Sequence, residues 1–229
     1  MRLLNAFGPQ RWWPARTRLE VILGAILTQN TSWNNAARAI ARLRKAGLLN
    51  LEALETASNA RLERCLRPAG YFRQKAKTVR AFLEWLERDS HGSLTRLFAR
   101  SDEKLRQDLL QVRGFGPETV DSILLYAGGL PYFVVDAYTK RILSRHGLIP
   151  ENTGYAEVQA FFHENLPRDA RLYNEFHALL VEVGKRFCRP RKPKCEVCPL
   201  QGFLPSGQVT TGVVLPPEPS RSGKAPTRD

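Results

Sequence analysis

Residues 108–136 read DLLQVRGFGPETVDSILLYAGGLPYFVVD, and their order decides the fold. Gly114-Phe115-Gly116-Pro117 separates two apolar stretches. The glycines take positive φ at little cost, so two helices can meet in a turn tight enough to leave backbone N–H groups facing outward. Pro117 suits the first turn of the second helix. Amides at a helix start recognise phosphate without reading base identity, so a phosphodiester fits there. Gly114, Phe115, Gly116 and Thr119 are therefore the candidate DNA-backbone contacts. Taken alone, such a hairpin reads better as an ordinary turn between helices. Its surroundings reverse that. After the helical stretch 119–126, Gly128-Gly129-Leu130-Pro131 breaks the helix and Tyr132-Phe133-Val134-Val135 leads straight into Asp136. An acid in that place either caps the next helix or faces a cleft, and the two roles are compatible.

Working outward, apolar residues recur at helical spacing over 17–28, 33–46, 50–57, 59–67, 74–88, 93–99, 102–112, 117–126, 137–146, 155–166 and 170–187. No alternating strand pattern competes. The expected fold is all-α, a two-lobed helical bundle with a helix-hairpin-helix motif and a C-terminal cysteine loop. Residues 20–130 are expected to form one lobe ending in the hairpin, and 1–19 with 131–204 the other. Residues 205–229, rich in Pro, Ser, Gly and Thr, are expected to be a disordered tail. Phe82 and Trp85 are spaced as core residues of one helix.

Composition points to a polyanion. The 229 residues carry a formal net charge of +13, which favours salt-sensitive association with nucleic acid and says nothing of fold. Two basic clusters suit a phosphate backbone: Arg38, Arg42, Arg44 and Lys45, then Arg186, Arg189, Arg191, Lys192 and Lys194. The apolar stretch 19–27 is short and contains Glu20, so no membrane span is expected. A cytoplasmic monomer is the expectation.

The chain resembles the helix-hairpin-helix DNA glycosylases of the endonuclease III superfamily. The resemblance rests on Leu27-Thr28-Gln29-Asn30-Thr31, the hairpin 112–119, Val134-Val135-Asp136-Ala137-Tyr138, and Cys188, Cys195 and Cys198, in family order over most of 10–204. A narrower likeness, to the endonuclease III-type 3-methyladenine DNA glycosylases, rests on Trp12-Trp13-Pro14, Arg67-Pro68-Ala69-Gly70-Tyr71, Gln74-Lys75-Ala76-Lys77, Tyr173 and Phe176-His177. That subgroup implies excision of alkylated purines from double-stranded DNA during base excision repair.

An excised base must first leave the stack and be held in a pocket. Trp12, Trp13, Trp33 and Tyr71 are the candidate walls, and Trp33 stands where the alkylpurine subgroup holds an aromatic. An indole face attracts the positive charge of a methylated adenine. Packing in the core is the plainer role for any tryptophan. The superfamily implies that Gln29 fills the gap left by the extruded nucleotide; exposure beside capping threonines is the alternative. Asp136 is the candidate catalytic residue, because breaking an N-glycosidic bond builds positive charge on the sugar.

Two departures from the superfamily matter. Bifunctional members carry a Schiff-base lysine two residues after the second hairpin glycine, and here that position is Glu118. A carboxylate cannot form an imine, which implies a hydrolase without AP-lyase activity. The cysteine spacing matches three ligands of the family's iron–sulfur loop, but Leu204 takes the place of the fourth. A [4Fe–4S] cluster with an exogenous or noncysteine fourth ligand is favoured over a zinc site or an empty loop. Cys65 reads as a small buried hydrophobe. Two other readings stay open: an endonuclease III-like enzyme for oxidised pyrimidines, and a DNA-damage-binding protein whose catalysis has decayed.

Overall fold

A computed structural model describes residues 1–100 and 103–205. Twelve α-helices and no strand occur among the described residues. They are α1 (Arg2–Phe7), α2 (Arg18–Leu27), α3 (Trp33–Lys45), α4 (Leu51–Thr56), α5 (Asn59–Leu66), α6 (Phe72–Ser90), α7 (Leu94–Ala99), α8 (Glu103–Leu110), α9 (Pro117–Ser122), α10 (Ala137–Arg145), α11 (Tyr155–Asn165) and α12 (Ala170–Arg186). The all-α expectation holds. Helix starts were legible because Thr17, Ser32, Asn50, Ser58, Ser93, Asp136 and Asp169 each accept a first-turn backbone N–H on the side chain. Helix α1 was not anticipated, and no side-chain cap marks its start. The expected helix start at Asp102 and the tail beyond Pro205 lie outside the described residues.

The apolar side chains gather into two cores. The first runs from Leu19 to Ala127 and is centred on α2, whose Val21–Leu27 stretch is buried all round. Phe82, Trp85 and Cys65 lie within it, as their spacing indicated. The second combines Leu3 of α1 with Phe133, Ile142, Val158, Phe162, Tyr173 and Leu180. Trp13 and Tyr132, just outside 20–130 on either side, pack against the first core.

Between the cores, α9 continues as a π turn over Ile123–Ala127. The wider turn sends Leu124 into the first core and Leu125 into the second, and Tyr126 touches both. A buried polar network reinforces the junction. Asp121, with no exposed side chain, accepts Arg106 Nε at 2.6 Å, Arg106 Nη2 at 3.0 Å, Tyr155 Oη at 2.8 Å and Gln159 Nε2 at 2.8 Å. These bonds hold α8, α9 and α11 together. They fix the helix after the hairpin relative to the segment that ends in Asp136.

Candidate active site

Asp136 caps α10, and its carboxylate also lies beside His177 of α12. Its Oδ1 accepts the Thr139 amide at 2.7 Å and the Thr139 hydroxyl at 2.9 Å. Its Oδ2 lies 3.6 Å from His177 Nε2, an electrostatic contact just beyond hydrogen-bond length. Burial alone would raise the carboxyl pKa, but His177 and Thr139 outweigh it and hold the pKa below the ordinary aspartate value. Asp136 is thus kept ionised.

His177, on α12, is buried, and its Nδ1 is 2.6 Å from the Tyr126 hydroxyl. Tyr126 sits on the π turn with its phenol pKa raised well above the usual value, first by burial and then by the charges of Asp136 and Glu118. It stays a neutral hydroxyl. Glu118, in the first turn of α9, is open to solvent on one side. Desolvation by the protein on its other sides, then the charge of Asp136, push its carboxyl up to about 7, against a lowering by His177.

Trp12, Trp13 and Trp33 come together beside these groups. Ring centroids lie 5.5 Å apart for Trp12 and Trp13, 5.5 Å for Trp12 and Trp33, and 5.2 Å for Trp13 and Trp33. Trp13 also lies 5.0 Å from the Tyr126 ring. Gly24 makes this approach possible, since a Cβ there would stand 3.0 Å from the Trp13 indole. Trp12 Nε1 and Trp13 Nε1 are buried without a hydrogen-bond partner. Lys185 lies 5.5 Å from the Trp12 ring, so one indole face already attracts a cation. Tyr71 stands apart. It enters α6 in the left-handed conformation with φ 44° and is 74% exposed, and no ring contact joins it to the tryptophans among the described residues. The fourth aromatic of the group is Tyr126, which the sequence did not mark because it occupies an ordinary apolar helix position.

Gln29 is not loose at the surface. Its Nε2 donates to Gly114 O and to Thr119 Oγ1, each at 2.9 Å, so it braces the hairpin and must release both to enter a duplex. Gly114 takes φ 92°, and a Cβ there would collide with Thr78 Oγ1 of α6. Phe115 departs from its expected place. Its ring is buried and stacks on Phe82 at 5.9 Å, and its N–H is bonded to Val112 O, so it anchors the turn and offers no amide to phosphate. Thr119 is also buried. In the basic clusters, Arg44 is paired with Glu20 at 2.7 Å and Arg186 with Glu182 at 2.9 Å, while Arg189, Arg191, Lys192 and Lys194 are exposed.

Cys188, Cys195 and Cys198 line one cavity together with Arg145, His146 and Leu204. No three potential ligands among the described residues are grouped to hold a single metal ion. Zinc ligands must converge on one point, whereas each thiolate of a [4Fe–4S] cluster binds a different iron. A donor set spread around a cavity therefore fits a cluster better than zinc.

Fold and site together define a helix-hairpin-helix DNA glycosylase. The chain belongs to the HhH-GPD superfamily of base excision DNA repair proteins, which residues 23–168 match, and residues 188–203 match the iron–sulfur binding domain of endonuclease III. A Methanocaldococcus jannaschii protein named, by inference, as a DNA repair glycosylase is 46% identical over 204 residues, covering 88% of this chain and 91% of its own. Endonuclease III of Sulfolobus acidocaldarius is 25% identical over 82% of each chain. Among solved structures, a noncovalent endonuclease III–DNA complex has the same fold at TM-score 0.76 and 20% identity, covering 88% of this chain and 90% of that one. The Helicobacter pylori 3-methyladenine DNA glycosylase bound to 1,N6-ethenoadenine is similar at TM-score 0.70 and 30% identity, over 80% and 92% of the two chains.

Proposed function

We propose that the protein is a monofunctional DNA glycosylase that flips an alkylated purine such as 3-methyladenine out of double-stranded DNA and hydrolyses its N-glycosidic bond. The observation that carries this reading is a pair of carboxyl groups: an ionised Asp136 at the junction of the cores, and Glu118 where bifunctional relatives hold an amine. The C1′–N bond breaks with its electron pair leaving on the base. Asp136 stabilises the positive charge at C1′, and then takes a proton from the water that adds there. With no amine at position 118, the abasic product leaves uncut. The indole faces of the tryptophan group suit a cationic base. The hairpin and the exposed Arg189, Arg191, Lys192 and Lys194 supply the grip on the backbone.

One observation favours a second reading, a neutral damaged pyrimidine. Such a base leaves poorly as an anion, and a carboxyl with a pKa near 7, as Glu118 has, could protonate it. The test is single-turnover base release from duplexes carrying methyladenine or a damaged pyrimidine, with strand nicking scored separately, for wild type and Asp136→Asn. Asp136-dependent release of methyladenine without nicking supports the leading reading. Release of the pyrimidine alone would replace it, and DNA binding without release of either base would leave only a damage-binding protein.

A further inference from the structure

The cysteine loop lacks its fourth thiolate, yet the cavity it surrounds contains another donor. Leu204 lines that cavity and has no ligating atom. His146, the residue that follows α10, lines it too. The end of the loop is folded onto this corner: Pro205 packs on Gly147, and the carbonyl of Phe203, immediately before Leu204, lies 3.1 Å from His146 Nδ1. A carbonyl oxygen can only accept, so Nδ1 carries the proton of this bond. In the neutral ring that leaves the lone pair on Nε2. A ring N–H tied to a backbone carbonyl with the opposite nitrogen free is the arrangement that orients a metal-bound imidazole.

We propose that His146 Nε2 is the fourth protein ligand of the iron–sulfur cluster held by Cys188, Cys195 and Cys198. The inference rests on the cysteine loop binding a cluster at all. It explains how the chain tolerates Leu204: the missing donor comes from the residue that ends α10, which lines the same cavity. Arg145, the preceding residue, supports the same corner. Its Nη1 donates to Cys188 Sγ at 3.4 Å and to Arg189 O at 2.7 Å, tying the first cysteine of the loop to the end of α10. Exchange of one thiolate for a neutral imidazole also makes the cluster less negative, as befits a loop that presents Arg189, Arg191, Lys192 and Lys194 outward.

The full chain, purified without oxygen, would be assayed for iron and sulfide. It would then be compared with His146→Ala and with His146→Ala/Leu204→Cys by Mössbauer spectroscopy and by pulsed EPR of a paramagnetic state. The expected result is a four-iron cluster whose spin couples to an imidazole nitrogen in wild type. In His146→Ala the coupling is lost, and mild oxidation converts the cluster to the three-iron form. The double variant should retain four irons without nitrogen coupling, because the family's cysteine is restored. A four-iron wild type with no nitrogen coupling, or a His146→Ala protein indistinguishable from it, would overturn the assignment of His146. A wild type without iron or sulfide would overturn the cluster itself and the ligand assignment with it.

Discussion

His177 Nε2 lies 3.6 Å from Asp136 Oδ2, and the other nitrogen of the same ring lies 2.6 Å from the Tyr126 hydroxyl. The Tyr126 hydroxyl can donate to Nδ1, which puts the ring's proton on the side of Asp136. On the proposed mechanism His177 is a positioning residue: it acts on the Asp136 carboxylate and is not itself required to touch DNA.

Replacement of His177 by Asn, or of Tyr126 by Phe, should lower single-turnover base release by about 10-fold, the rate change that about 1.4 kcal/mol of lost stabilisation at the Asp136 carboxylate produces. His177 opposes the raising effect of burial on Asp136, so its loss should raise the Asp136 pKa and move the acidic limb of the pH–rate profile to higher pH. A merely structural residue would change stability or DNA affinity and leave that limb in place.

Glu118 sets a second pH dependence. Its carboxyl is protonated below about 7 and ionised above. If a neutral base is a substrate, its release should therefore fall as pH rises through that value, and Glu118→Gln should abolish the fall. Release of a cationic purine should show no such limb. No covalent protein–DNA adduct is expected on borohydride treatment of wild type; trapping one would contradict the monofunctional assignment.

Asp121→Asn should be costly to the fold, because it leaves the Arg106 guanidinium without its charge partner and disturbs the bonds from Tyr155 and Gln159. Breaking a buried pair of this kind costs about 3–5 kcal/mol, readable as a drop in the urea midpoint at unchanged slope. A loss under 1 kcal/mol, on the order of an exposed pair, would show that the network is not what joins α8, α9 and α11.

Gly114→Ala should destabilise the hairpin by about 1–3 kcal/mol, since φ 92° is strained for alanine and the new Cβ presses on Thr78. Disturbance of the carbonyl that receives Gln29 should weaken binding to undamaged duplex DNA as well. Titrations at two salt concentrations would check whether backbone contacts are lost.

By itself the sequence determined the helices after α1, most of their starts and the acid after the hairpin, because 3.6-residue periodicity, side-chain caps and glycine breaks are local and need no knowledge of the rest of the chain. It also placed Trp12, Trp13 and Trp33 in one group, through resemblance rather than periodicity. Only the tertiary structure decided which aromatic completes that group. Tyr71 and Tyr126 look alike in sequence, but one begins a helix in solvent and the other sits on a π turn between two cores. The same holds for Phe115, whose hairpin position suggested DNA and whose ring is needed against Phe82. His177 and His146 show why: each meets a partner 41 or more residues away in the chain, Asp136 in one case and Phe203 in the other. Such contacts are set by how helices pack, and helix packing leaves no signature in the spacing of the residues it brings together.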